Sequence, residues 1–314
     1  MRIRPAFRVI IGAVLVAVTS ACTSSTGGEA ATPSASAAGP VRELPAGWRW
    51  ESFGGVEVGV PGDWGWDNGT QRLHQWCIVK EAAKAKPVVG RPGQSTLVGC
   101  PDGDTVLANT GSVVAFNRTT EADGVARQGD RSTVRLDTVE VVVQAPAELR
   151  PRIVETIRRG PLDSFGCPAT HAISAEPRWR PGKPAKLESL RSVSSVSICK
   201  YELREHLPGT RPRLLSSSRL DGAAAARAIS GVTAAPDGSG PNDPESCAAE
   251  WAYGDEAIVL RIRSSAGASE LVVRYSGCDH NGFDDGAAVR KLTGPALAPF
   301  IGGPHRVGVP VLAV

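Results

Sequence analysis

The chain has 314 residues, with 35 Lys plus Arg against 32 Asp plus Glu, 41% hydrophobic residues, seven cysteines and one Met. A formal net charge of +3 supplies no basic stripe able to release counterions from nucleic acid, which excludes a nucleic-acid partner on electrostatic grounds. The length suits one large domain or two ordinary ones.

The first eight residues carry Arg2, Arg4 and Arg8 and no acid, and "VIIGAVLVAV" (9–18) follows as an unbroken apolar run. Such a run is too short for a spanning helix, which needs about 20 residues, and fits the apolar core of an export signal. "TSAC" then ends at Cys22. It resembles the lipobox of bacterial lipoproteins, with Thr19 standing where an aliphatic residue is usual. The resemblance implies cleavage before Cys22 and a diacylglyceryl group on its sulfur. Residues 1–21 are thus expected to be a signal peptide. Residues 22–44, "CTSSTGGEAATPSASAAGPVREL", are expected to be a flexible tether, too poor in large apolar groups to offset ordering entropy. Losing Arg2, Arg4 and Arg8 leaves 32 basic groups against 32 acidic ones, and no polybasic patch lies beside the lipid site.

Residues 45–160 read as a first α+β domain. "GWRWESF" and "GVEVGVP" alternate around Gly54–Gly55, a hairpin signal. Strands are expected over 112–117, 132–137 and 138–144. The spacing of Leu149, Ile153, Val154 and Ile157 predicts a helix ending at Gly160. The Gly- and Pro-rich stretch from about 80 to 105 reads as loop. Residues 163–302 read as a second α+β domain, and 303–314 as a tail. Strands are expected over 192–203 and 213–220, then a helix over 221–232 with Asp221 as its N-cap. "AIVLRIR" and "ELVVRYS" make a hairpin around "SSAGAS", and a last helix is expected over about 285–299. Each domain then ends in a strand pair followed by a helix, with mostly antiparallel strands.

Setting Cys22 aside leaves Cys77, Cys100, Cys167, Cys199, Cys247 and Cys278. An even set in an exported chain reads as disulfides, and no C-x-x-C spacing points to a metal site. A domain break near residue 160 forces Cys77–Cys100 and leaves three arrangements for the other four. Neighbour pairing, Cys167–Cys199 and Cys247–Cys278, is favoured.

The lipobox, "WRWESFGGVEVGVP", "PVVGRPG…VGCP" and "DDGAAVRKLTGPALAP" together resemble uncharacterised secreted lipoproteins of actinobacteria. The resemblance implies export and anchoring, and no activity.

Candidate chemistry is sparse. "SICK" (Ser197–Lys200) matches S-x-x-K, but alternation around it predicts a strand, which sends Ser197 and Lys200 to opposite faces. His74, His171, His206, His280 and His305 lie in no catalytic motif, and each reads as a lone exposed side chain. "GCDHNGFDDG" (277–286) fails the EF-hand template, because positions counted from Asp279 put Phe283 at 5, Asp284 at 6 and Arg290 at 12. Asp284 or Asp285 is expected to cap the last helix instead. Five of the seven tryptophans lie between 48 and 76. Core packing accounts for Trp48 and Trp50, and Trp64, Trp66 and Trp76 are candidates for a ligand platform.

These readings converge on a membrane-anchored extracytoplasmic protein without catalysis, cofactor or metal. A ligand- or glycan-binding module is expected; a protein-interaction scaffold or an unrecognised hydrolase are the alternatives. Its partners are the membrane, through the lipid, and a cell-surface ligand or protein. Replacing Cys22 by Ala should release soluble protein or leave uncleaved precursor. Fractionation of expressing cells checks this, and normal cleavage with retention in the membrane fraction would refute the lipid anchor.

Overall fold

The structure is a computed structural model and describes residues 43–67, 86–92, 111–182, 186–190, 192–204 and 213–306. β1 (Trp48–Phe53) and β2 (Val56–Pro61) form the expected hairpin. Its turn needs two glycines: Gly54 and Gly55 have φ of +59° and +86°. Space demands them as well, since a Cβ on Gly55 would lie 2.4 Å from the Ala169 Cβ.

The chain continues through β3 (Gly65–Asp67), β4 (Val88–Gly90), β5 (Val113–Arg118), β6 (Gly124–Gln128), β7 (Arg131–Leu136) and β8 (Val139–Gln144). These make a six-stranded sheet in the order β3-β4-β5-β8-β7-β6, parallel over its first three strands and antiparallel beyond. β4 lies inside the stretch read as loop. Three residues pairing in parallel with two distant partners leave no alternation to detect. The predicted helix after β8 is short: α1 spans Arg150–Val154, and Arg158–Arg159 then turn back as β9 to extend the first hairpin. Phe53, Val58, Trp64, Phe116, Val141 and Ile153 fill the core between hairpin, sheet and α1.

α2 (Ala172–Ala175) leads to the third sheet. Its strands are β10 (Ser195–Glu202), β11 (Leu214–Asp221), β12 (Glu256–Ser264), β13 (Gly267–Arg274), β14 (Gly282–Asp284) and β15 (Val289–Arg290), in the order β11-β10-β12-β13-β14-β15. Every residue of β10 is buried, because the sheet is covered on both sides. α3 (Gly222–Thr233) and the short α4 (Gly294–Leu297) pack Ala225, Ile229, Val232 and Leu297 against Val196, Ile258, Leu260 and Val273. On the other face Ile173 and Cys167 meet Cys199, Tyr201, Val259 and Val272.

Two expectations fail here. Residues 285–288 close the β14–β15 hairpin rather than starting a helix, and helix resumes only at Gly294. The Asp285 carboxylate accepts from the Ala287 and Ala288 amides at 2.8 and 2.7 Å, an Asx turn that competes with helix. Asp284 caps nothing; Arg180 holds it through Nε and Nη2, both at 2.8 Å. Asp221 does stand at the N-cap of α3, but its side chain makes no capping bond and lies 3.3 Å from Arg219.

The described residues are mostly β, with three sheets rich in antiparallel pairing. The division near residue 160 is not confirmed. All described residues fall within one compact unit, and bonds cross the expected break. The Gly54 amide donates to the Leu214 carbonyl at 2.7 Å, Arg213 donates to Asp137 at 2.6 Å, and Arg118 pairs with the buried Glu202. Cys167–Cys199 and Cys247–Cys278 stand at disulfide distance, with Cα–Cα separations of 5.6 and 5.3 Å. Cys77 and Cys100 lie outside the described residues, as does Cys22. Peptide mapping without reduction should recover these two links. Removing Cys167 and Cys199 together should lower unfolding free energy in urea by roughly 3–4 kcal/mol, the loop entropy restored to the unfolded chain. A link from either cysteine to Cys100 would contradict the pairing.

Candidate functional site

Of the three tryptophans expected as a ligand platform, Trp64 and Trp66 lie among the described residues. Trp64 is 4% exposed and belongs to the core. Trp66 donates its indole N–H to Glu51 at 2.7 Å and carries the Arg49 guanidinium 4.3 Å from its ring centre. Trp76 lies outside the described residues. Trp48 and Trp50, expected in the core, are half-buried and covered by Arg152 and Arg158 at 5.2 and 4.1 Å. A bulky sugar ring finds no open face on Trp64.

The S-x-x-K residues separate as the strand reading requires. Ser197 lies opposite Arg219 and Arg261, whereas Lys200 lies opposite Ser216 and Ile258 on the other face. Lys200 Nζ is 2.8 Å from the Glu256 carboxylate, and Ser197 Oγ donates to the Phe165 carbonyl at 2.5 Å. Neither group can activate the other.

What Ser197 does join is a polar row across four strands. Register aligns Arg219 (β11), Ser197 (β10), Arg261 (β12) and Glu270 (β13), and the next row on the same face brings Arg263. This row floors a cleft of about 580 Å³, within the range of small-ligand sites. Leu162–Gly166 form one wall, Pro181 and Gly182 another. The first wall is held by several bonds. The buried Asp163 carboxylate accepts from the Phe165 and Cys167 amides at 3.0 and 2.8 Å and from Ser52 Oγ at 3.0 Å. Cys167 is tied to Cys199, and Arg261 donates to the Gly166 carbonyl.

Charge in the cleft is uneven. Arg261 Nε lies 3.2 Å from Glu270, and Arg219 lies beside Asp221. His171 and Arg261 hold the Glu270 carboxyl below its ordinary range, the His171 bond being the larger cause. Arg263 is exposed and, among the described residues, has no ion-pair partner. The Ser269 hydroxyl, opposite Ile262 and so on the other face of the sheet, is buried with no hydrogen-bond partner and does not enter the cleft. Arg219, Arg261, Arg263, Ser269 and Glu270 were not singled out in the sequence, although "RIR" and "SRL" alternate as a one-faced ladder must. Alternation cannot say which face opens to a cleft.

The histidines divide. His171, expected exposed, is nearly buried. It caps α2 by accepting from the Ile173 amide at 3.2 Å and packs edge-on against Trp179. His280 stacks on Tyr253 at 4.5 Å. His74 and His206 lie outside the described residues. His305, assigned to the tail, is 1% exposed and clamped between Ser216 Oγ and Ser218 Oγ at 2.8 and 2.7 Å. Burial, helped by the charges of Lys200 and Arg91, holds its imidazole well below the ordinary value. Closed to solvent, with both ring nitrogens on serine hydroxyls and no acid bonded to them among the described residues, this Ser–His pair does not form a hydrolytic triad there. In "GCDHNGFDDG" the Asn281 amide is consumed by the Gly277 and Pro241 carbonyls at 2.6 and 2.9 Å, and Asp284 by its arginines.

No family model, no curated protein and no solved structure matches the chain.

The neutral His305 makes stability depend on pH. Its folded pKa lies below the unfolded one, so its contribution is complete above about pH 6.5 and is lost as pH falls. The expected slope approaches about 1.4 kcal/mol per pH unit below that point. Urea unfolding of the wild type and of His305→Gln between pH 7 and 5 checks this. The variant should lose the slope; equal slopes would show that another group carries it.

Proposed function

We propose that this chain is a lipid-anchored extracytoplasmic binding protein. It holds a small anionic ligand, of the carboxylate or phosphate class, in the cleft floored by Arg219, Arg261 and Arg263, and it catalyses no reaction. The observation that carries this is the exposed Arg263. It adds an unpaired charge to a walled cleft whose other two arginines already have carboxylate neighbours. A guanidinium offers five N–H donors in a planar fork that matches carboxylate and phosphate oxygens.

The anchoring part rests on "TSAC" and the polar segment behind it. Two cysteine pairs at disulfide distance agree with an oxidising compartment. Among the described residues no helix is long and apolar enough to cross a membrane. A glycan platform on the tryptophan-rich first segment has no support from Trp64 or Trp66, both already engaged.

Inorganic pyrophosphate and succinate are the probes. At low salt at least one should bind, as read by calorimetry and backbone amide shifts near Ser197 and Ser269. Arg263→Glu should weaken binding by about 10- to 100-fold, the range for one charge-assisted hydrogen bond. Binding should also weaken with added salt, because the site is open. Failure of both probes at millimolar concentration, or equal affinity in Arg263→Glu, would defeat the reading.

A further inference from the structure

A second cleft lies away from the arginine row and differs from it in chemistry. It measures about 450 Å³, and Glu176, Arg178, Leu203, Arg204, Glu250 and Tyr253 line it. Beside it stands Trp251, which at 48% is one of three large apolar side chains exposed among the described residues. Its position is fixed rather than incidental. The Trp251 amide donates to the Ala248 carbonyl at 2.8 Å, and its carbonyl accepts from Gly254 and Cys278 at 3.0 and 3.2 Å. The Cys247–Cys278 pair closes the same corner.

Arg204 settles the indole's orientation. Its guanidinium carbon lies 3.6 Å from the Trp251 ring centre and covers one face. With that face covered, the exposure of the ring belongs to its other face and its edge. Leaving such a surface in water is unfavourable.

The polar groups that line the cleft balance. Glu176 and Glu250 offer acceptors, Arg178 and Arg204 offer donors, and the formal charge of the four is zero. An anion would meet two carboxylates here, and a cation two guanidiniums. A neutral, hydroxyl-rich ligand meets neither penalty, since each hydroxyl donates to a carboxylate and accepts from a guanidinium. If that ligand also has a flat C–H face, it covers the open side of Trp251. We propose that this cleft binds a neutral oligosaccharide, with one sugar ring stacked on Trp251 and its hydroxyls shared between Glu250 and Arg178. The proposal is independent of the anionic site, from which it differs in residues and in charge.

The probes are chitotetraose and cellotetraose, followed by calorimetry and saturation-transfer NMR on the intact extracytoplasmic chain. At least one should bind with an affinity that hardly changes with salt. Trp251→Ala should reduce it about tenfold, the loss of one aromatic stacking contact. Trp251→Phe should recover part of the loss. Glu250→Gln keeps the shape and removes a strong acceptor, so it should weaken binding several-fold with an unchanged melting temperature. Arg263→Glu, in the other cleft, should leave oligosaccharide binding intact. Binding that survives Trp251→Ala in a folded variant would overturn the proposal. So would the absence of binding by either probe at 10 mM, or binding of pyrophosphate that is lost on Trp251→Ala.

Discussion

The Asp163 carboxylate is the joint on which the rest of the fold turns. It is buried, and it reaches three parts of the molecule. One oxygen takes the Ser52 hydroxyl of β1, itself 2.5 Å from the Ser217 hydroxyl of β11. The other takes the amides of Phe165 and Cys167. A buried carboxylate without such donors would cost several kcal/mol, so the three elements must meet in one arrangement or none. Ser52 therefore faces the third sheet, and the segment 162–166 must rise beside it as a wall. The cleft is a consequence of satisfying this one group.

The same logic runs along the seam between the first hairpin and the second and third sheets. Glu51 is 1% exposed and takes bonds from Arg49, Arg91 and the Trp66 indole at 2.6, 2.5 and 2.7 Å. Glu202 takes Arg118. Within the third sheet, the half-buried Glu256 takes Lys200 and the Tyr275 hydroxyl at 2.8 and 2.7 Å. Each buried acid has its own donors. Ion pairs of this kind contribute little net stability, because desolvation offsets attraction, but removing one partner is costly. They select a geometry more than they strengthen it. That explains why Trp66, expected to be free for a ligand, is engaged by Glu51 and Arg49 instead.

Elements governed by local chemistry were legible in the sequence. The Gly54–Gly55 hairpin, the β12–β13 hairpin and the alanine-rich α3 each carry their own turn or periodicity. The cysteine spacing gave both described pairs, because each closes a short loop. Elements governed by distant partners were not legible. β4 exists because β3 and β5 flank it, and β9 because β2 offers an edge. The segment 285–299 has residues that suit a helix, yet β13 and Arg180 draw Asp284 into a sheet first. His305 was hidden for the same reason: its partners are serines almost ninety positions upstream. The candidate sites fall between these cases. Alternation places Arg261 and Arg263 on one face, but only packing sets the segments 162–166 and 181–182 beside them as walls.

The two clefts also bear on why the chain would be tethered. If residues 22–44 form the expected tether, a flexible chain of that length reaches roughly 20–25 Å, about three Debye lengths at physiological salt. On the proposed anchor, the folded unit samples a thin layer above the membrane, and surface charge on the lipids is screened at its height. On the same proposal, cleavage before Cys22 leaves 32 basic against 32 acidic groups, so no net charge draws the chain to an anionic surface. Local chemistry is left to choose the ligands. Confinement raises the effective concentration of sites toward anything fixed in the same layer, into the millimolar range for short flexible linkers. Weak, shallow, rigid clefts suffice under that condition. A soluble protein with the same clefts would need deeper burial to reach the same occupancy.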